Sequence, residues 1–213
     1  MRTLLVVLLG LLLLGCVSAP DEPELMFAAK SGSERAVAGA TKLVPDPHAG
    51  WTRVLGPLVL ADDRFYGRQF VIQSWTDPVR RQRDNVFEIQ ISSGFPKRVF
   101  LKQAYAEGKE LKTIVIDRER LDCGYDCAIK ETVGIRLTEA EMADFATRDV
   151  AIEVIGRRET IVVTIPASYF AGVLSVHRQF RARLAEMVTR ARRCSGATPA
   201  CSRPAALRPS MQA

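Results

Sequence analysis

Phe87-Glu88-Ile89-Gln90-Ile91 sets the terms on which the rest of this chain is read. Apolar and polar residues alternate with a period of two. In an extended strand that places Phe87, Ile89 and Ile91 on one face and Glu88 and Gln90 on the other. A helix needs the apolar residues three and four apart, so the stretch predicts a half-buried strand. The same signature recurs on both sides of it. Thr160-Ile161-Val162-Val163-Thr164-Ile165 has Ile161, Val163 and Ile165 on one face, and Val150, Ile152 and Val154 share a side with Glu153 outward. Ile129, Val133, Ile135 and Leu137 alternate with Lys130, Thr132 and Arg136. Residues 52–60, 67–76, 97–106 and 110–117 carry weaker versions of the pattern. Between the last two, Tyr105-Ala106-Glu107-Gly108-Lys109 suits a hairpin turn. Eight strands within about 115 residues, joined by short turns, predict an antiparallel β-sandwich or a partly open barrel. The long crossovers of a parallel sheet are missing.

Two helices stand out from the strands. Thr138-Glu139-Ala140-Glu141 has the form of a capping box, with Met142 and Phe145 as the buried side of the turn that comes next. After Pro166 a long helix is expected over residues 168–192. Phe170, Val173, His177, Phe180, Leu184, Met187 and Ala191 recur three and four apart as one amphipathic stripe. That stripe either packs on the sheet throughout, or its distal half projects and meets a partner. His177 lies on it and reads as a hydrogen-bonded core residue, with a partner contact as the alternative.

The N-terminus speaks to location. Arg2 precedes an apolar run, Leu4–Leu14, interrupted only by Gly10. Eleven residues are short of the roughly 20 that span a bilayer but match the hydrophobic region of an export signal. The run ends in Leu13-Leu14-Gly15-Cys16, which resembles a bacterial lipobox. That resemblance implies cleavage before Cys16 and acylation there, so the membrane is an expected partner through an N-terminal lipid. Ordinary signal cleavage after Val17-Ser18-Ala19 is the competing reading. Val17, rather than aspartate, favours the outer membrane, facing the periplasm. The expected organisation is a signal over 1–15, a flexible tether over 16–50 rich in Pro, Ser, Gly and Ala, a β-rich domain with its helix over 51–193, and a basic tail over 194–213.

Charge is concentrated at the C-terminal end. The whole chain carries +6 at neutral pH. Residues 178–208 hold eight arginines and one acid, Glu186. Such a segment suits a solvated helix face and tail, or contact with lipid phosphates. Phe180 is the one aromatic residue in this segment, too few for a platform of stacked bases, and nucleic acid is not expected as a partner.

Little in the sequence points to catalysis. Cys123 and Cys127 are separated by three residues and Cys194 and Cys201 by six, and the only histidines are His48 and His177. Neither spacing makes a zinc site, and no metal or cofactor is expected. Cys-x3-Cys beside Asp122 and Asp126 is equally unlike a redox-active pair. In an oxidising compartment the four cysteines read as structural disulfides. They allow three pairings, and the local ones, 123 with 127 and 194 with 201, are expected. No nucleophile elbow is present. Carboxylates such as Asp62, Asp63, Asp117 and Glu119 read as solvated turn residues. Glu131 is the exception, because it falls on the apolar face of its strand. A polar group there needs a partner or an opening to water. Arg118 or Arg120 would supply the first. The second would make a ligand pocket with Asp117, Tyr66 or Tyr105.

Ile116-Asp117-Arg118, Cys123, Cys127, Glu131 to Gly134, and Ile165 to Tyr169 together resemble a group of small proteobacterial lipoproteins. The resemblance covers residues 60–176 and implies a β-rich domain on a lipid anchor. It brings no activity with it. The expectation is a non-enzymatic envelope lipoprotein that binds or assembles, with the C-terminal helix as its surface for an envelope protein partner.

Overall fold

The computed structural model describes residues 27–28, 32–48, 50–61, 67–76, 86–121 and 128–195. Its strands are β1 (Phe27–Ala28), β2 (Lys42–Asp46), β3 (Trp51–Leu55), β4 (Val59–Leu60), β5 (Gln69–Thr76), β6 (Val86–Phe95), β7 (Gln103–Ala106), β8 (Lys109–Arg120), β9 (Ile129–Thr138), β10 (Val150–Ile155) and β11 (Thr160–Ile165). Its helices are α1 (Glu34–Ala40), α2 (Glu139–Phe145) and α3 (Ala167–Ser195). The strands form one curled half-barrel in the order β1-β4-β5-β6-β9-β8-β7-β10-β11, with β2 and β3 attached through β5. Every pairing is antiparallel except the short one of β1 with β4. Of the two expected architectures, the open barrel with a helix after its last strand is the one formed.

Alternation builds the core as read. Phe87, Ile89 and Ile91 of β6, Val133, Ile135 and Leu137 of β9, and Ile161, Val163 and Ile165 of β11 are all buried. They meet Phe170, Val173 and Leu174 on the first turns of α3 in one hydrophobic cluster. Aromatic edges lock that contact: Phe70 against Tyr169 at 5.1 Å between centroids, and Phe145 of α2 against Phe170 at 5.4 Å. The Tyr169 hydroxyl donates to the carbonyl of Pro57. Burial pushes this phenol well above its ordinary pKa. Gly56, beside it, is required: a Cβ there would lie 2.7 Å from the hydroxyl and 2.9 Å from Val173.

Two local signals read from sequence form in full. Thr138 Oγ1 accepts from the Glu141 N–H at 3.2 Å, and Glu141 accepts from the Thr138 N–H at 2.9 Å. Glu107 and Gly108 both take positive φ, 52° and 78°, as the two central residues of the turn joining β7 to β8. That matches the tight primed turn whose twist suits a hairpin.

Elsewhere the structure departs from expectation. The tether expected over 16–50 gives way from residue 32 to α1 and β2. Ser33 caps α1, accepting from Ala36 N–H, and Val37 packs against Gly172 of α3, where a Cβ would come within 2.7 Å. β2 pairs only with β3, so it tolerates Pro45 as an edge strand does. The strand expected over 52–60 breaks at Gly56 and Pro57 into β3 and β4. The one expected over 97–106 survives only as β7, because residues 99–101 spend their amides elsewhere. Finally, β8 changes partner: Lys109–Leu111 pair with β7, and Lys112 onward pairs with β9, with a bulge between Val115 and Asp117. This switch joins the two halves of the curl.

Candidate functional site

Glu131 stands on the core face of β9 and is 1% exposed. Backbone N–H groups of Val99 and Phe100 donate to its Oε1 at 2.9 and 3.0 Å, and that of Leu101 donates to Oε2 at 2.8 Å. Three consecutive amides converge because Phe100 adopts φ 58°, which curls the loop into a nest around the carboxylate. Arg118 closes it. Its Nε lies 3.5 Å from Oε2, and its Nη2 donates to the Leu101 carbonyl at 3.0 Å. The Phe100 ring carries Arg118 on one contact and Arg157 on another, at 5.5 and 5.2 Å. Gly156 lets the same loop approach, since a Cβ would sit 2.5 Å from the Val99 carbonyl. Glu131 is thus a clamp that ties β9 to the 98–101 loop, and it presents no oxygen to a ligand. The arginine reading of this residue holds, with Arg118 as the partner, but the backbone amides hold the carboxylate more closely than the ion pair does.

His177 is fully buried. Its Nδ1 lies 2.8 Å from Ser74 Oγ and its ring sits 4.7 Å from that of Phe87. It joins α3 to β5 within the core and offers no surface to a partner. Cys16, Cys123, Cys127 and Cys201, with Tyr66, lie outside the described residues. Cys194 falls within the span of α3, but its side chain is not among those described.

The sheet face turned away from α3 holds a feature that alternation alone misreads. Glu88 and Gln90 were expected to be solvated, yet Glu88 is only 6% exposed. Its Oε1 accepts from Gln73 Nε2 at 3.0 Å and Gln90 Nε2 at 2.9 Å, and Gln73 Oε1 in turn faces Arg53 Nη1 at 3.4 Å. Gly134 makes room beneath: a Cβ there would come within 3.1 Å of the Glu88 carboxyl carbon. The ladder satisfies the strand face with amides. Among the described residues no group of three or more His, Cys, Asp and Glu is placed to hold a metal ion.

The remaining feature is α3 itself. Its root is tied down. Glu139 of α2 accepts from Arg178 Nε at 2.7 Å and Arg181 Nη1 at 2.8 Å. Burial works to raise the Glu139 pKa, but the two guanidinium groups outweigh it and hold the carboxyl below its usual range. Between α1, α2 and this root lies a shallow groove of about 360 Å³, floored by Ala143, Ala146 and Leu174 and edged by Glu34 and Arg178. From Ala182 to Arg190 the side chains are exposed or half-buried, and Met187 is 53% exposed. The stripe that begins in the core therefore continues off the domain. No helix among the described residues is long and apolar enough to cross a membrane.

Comparison with known proteins yields no relative: no family model, no curated protein and no solved structure matches this chain.

Proposed function

We propose that this chain is a lipid-anchored protein of the bacterial outer membrane, facing the periplasm, that serves as a binding and assembly module and performs no chemistry of its own. The apolar run at Leu4–Leu14 and the Leu-Leu-Gly-Cys step at residues 13–16 support the anchor. The β-rich domain after it agrees with the resemblance to small proteobacterial lipoproteins. The observation that carries the binding reading is the exposed half of α3. A soluble helix normally keeps its apolar stripe against its own core. Here Leu184, Met187 and Val188 carry the stripe on from Phe180, past the ion pair of Arg181 with Glu139 of α2. The contact surface of the module is that segment.

Replacing Cys16→Ser and fractionating cells tests the anchor. The variant is expected to leave the membrane fraction, and unchanged sedimentation with membranes would remove the lipoprotein reading. Placing a photo-crosslinking residue at position 187 in intact envelopes tests the surface. Adducts at 187 and none at Lys102, which is exposed on another part of the domain, are expected. Equal labelling at both positions would remove it.

A further inference from the structure

The exposed segment of α3 has a chemical polarity of its own. At about 100° per residue, Leu184, Met187 and Val188 fall within an arc of about 100°, in line with Phe180, which packs on the core. Arg183 and Arg190 lie just beyond one margin of that arc, and Arg181 lies just beyond the other. Glu186, the single acid, is on the far side. Arg183 and Arg190 make no ion pair within the described residues, while Arg178 and Arg181 are held by Glu139. The segment beyond Arg181 extends about 20 Å at 1.5 Å per residue.

An apolar stripe with basic margins is the arrangement by which a helix lies in a bilayer interface. The stripe enters the acyl boundary while arginine stems reach sideways to phosphates. A second copy of this chain fits less well, because face-to-face pairing would bring the arginine margins of both helices together with Glu186 turned away. We propose that residues 183–190 of α3 dock on an anionic lipid surface. The charge complementarity of Arg183 and Arg190 selects that occupant, and the exposure of Met187 marks its apolar side. This deepens the module reading, since it names what the same segment meets, and it rests on that reading for the membrane being near.

The test uses the full chain carrying Cys16→Ser, so that acylation contributes nothing, in sedimentation with vesicles of phosphatidylcholine alone or mixed with phosphatidylglycerol. Any binding through Leu4–Leu14 is common to every arm. Preferential binding to the mixed vesicles is expected, weakening with salt. The double variant Arg183→Gln, Arg190→Gln should lower that binding about 30-fold, roughly fivefold for each arginine. Met187→Asp should weaken it as well, with an unchanged circular dichroism spectrum. Equal binding to both vesicle types, or a double variant that binds as the parent does, would overturn the proposal. So would a sedimentation coefficient that rises with protein concentration and collapses in Met187→Asp, which assigns the stripe to a second copy. Because acylation is absent throughout, these outcomes are independent of whether Cys16 carries a lipid.

Discussion

Glu131→Gln removes one charge and changes one atom, and the nest around that atom sets the cost. Hydrogen bonds to a charged acceptor contribute about 1.5–3 kcal/mol each, against about 0.5–1.5 for neutral ones. The amide oxygen of glutamine can keep the Val99 and Phe100 bonds at neutral strength, a loss of roughly 1 kcal/mol apiece. The amide nitrogen then faces the Leu101 N–H, which sits 2.8 Å from the atom it replaces. Two donors meet there in a site that is 1% exposed, and an unsatisfied buried N–H costs about 1–3 kcal/mol. The sum is about 4 kcal/mol, a large part of the roughly 5–15 kcal/mol that holds a typical domain together. For a domain of this size, that corresponds to a fall in Tm of about 8–16 °C. Urea unfolding monitored by circular dichroism reads it as a lower midpoint at constant slope. Arg118→Lys is the comparison. It keeps a charge near Oε2 but gives up the bond to the Leu101 carbonyl, and it should cost less, because Arg118 is partly exposed. A loss below about 1 kcal/mol in Glu131→Gln would refute the clamp and return the residue to consideration as a ligand contact.

Other outcomes rest on the cap of α2 and the seat of α3. Thr138→Ala should destabilise by about 1 kcal/mol through loss of the cap on α2, read as a lower urea midpoint. Glu141 is held below its usual pKa, first by the Thr138 N–H and then by Lys109, so its share of stability is full above about 4.5 and is lost as pH falls through its folded value. Acid unfolding of Glu141→Gln should accordingly begin from a lower plateau and fall less steeply than that of the parent, and an identical acid limb in both would contradict this. Gly56→Ala should be more damaging than its size suggests, by roughly 1–3 kcal/mol, because the new methyl meets the Tyr169 hydroxyl and Val173; a Tm within a degree or two of the parent would mean that α3 is not seated there as described.

Much of the fold could be read without coordinates where a signal was local. The hairpin at Glu107-Gly108 needs two residues at positive φ and little else. The capping box at Thr138 and Glu141 closes within four residues. Alternation placed β6, β9, β10 and β11 correctly because a buried strand face imposes its period directly on the residues that line it. The misreadings were not local. Nothing in residues 97–102 announces that their amides belong to a carboxylate about 30 positions away, so the alternation there looked like strand. Residues 34–46 read as tether because α1 contributes a single large buried residue, Val37, and its helix is worth forming only against Gly172 of α3.

The candidate surface shows the same division. The apolar stripe of α3 and its arginines were legible from spacing alone. Which half of the stripe is used internally was not, since that depends on where the curled sheet ends beneath the helix. Glu88 and His177 make the point from opposite sides. Period-two reasoning assigned Glu88 to solvent, but Gln73, Gln90 and the absent side chain of Gly134 enclose it. His177 sat on an apolar stripe, and only its neighbours Ser74 and Phe87 decide that it is core. By itself the sequence determined the main elements, their polarity and the basic apolar helix at the end, because each is written in contacts a few residues apart. The tertiary structure alone decided the register of the curl, the switch of β8 between two partners, the nest that consumes Glu131 and the point where α3 leaves the domain, because each is set by groups that meet only after the chain has closed on itself.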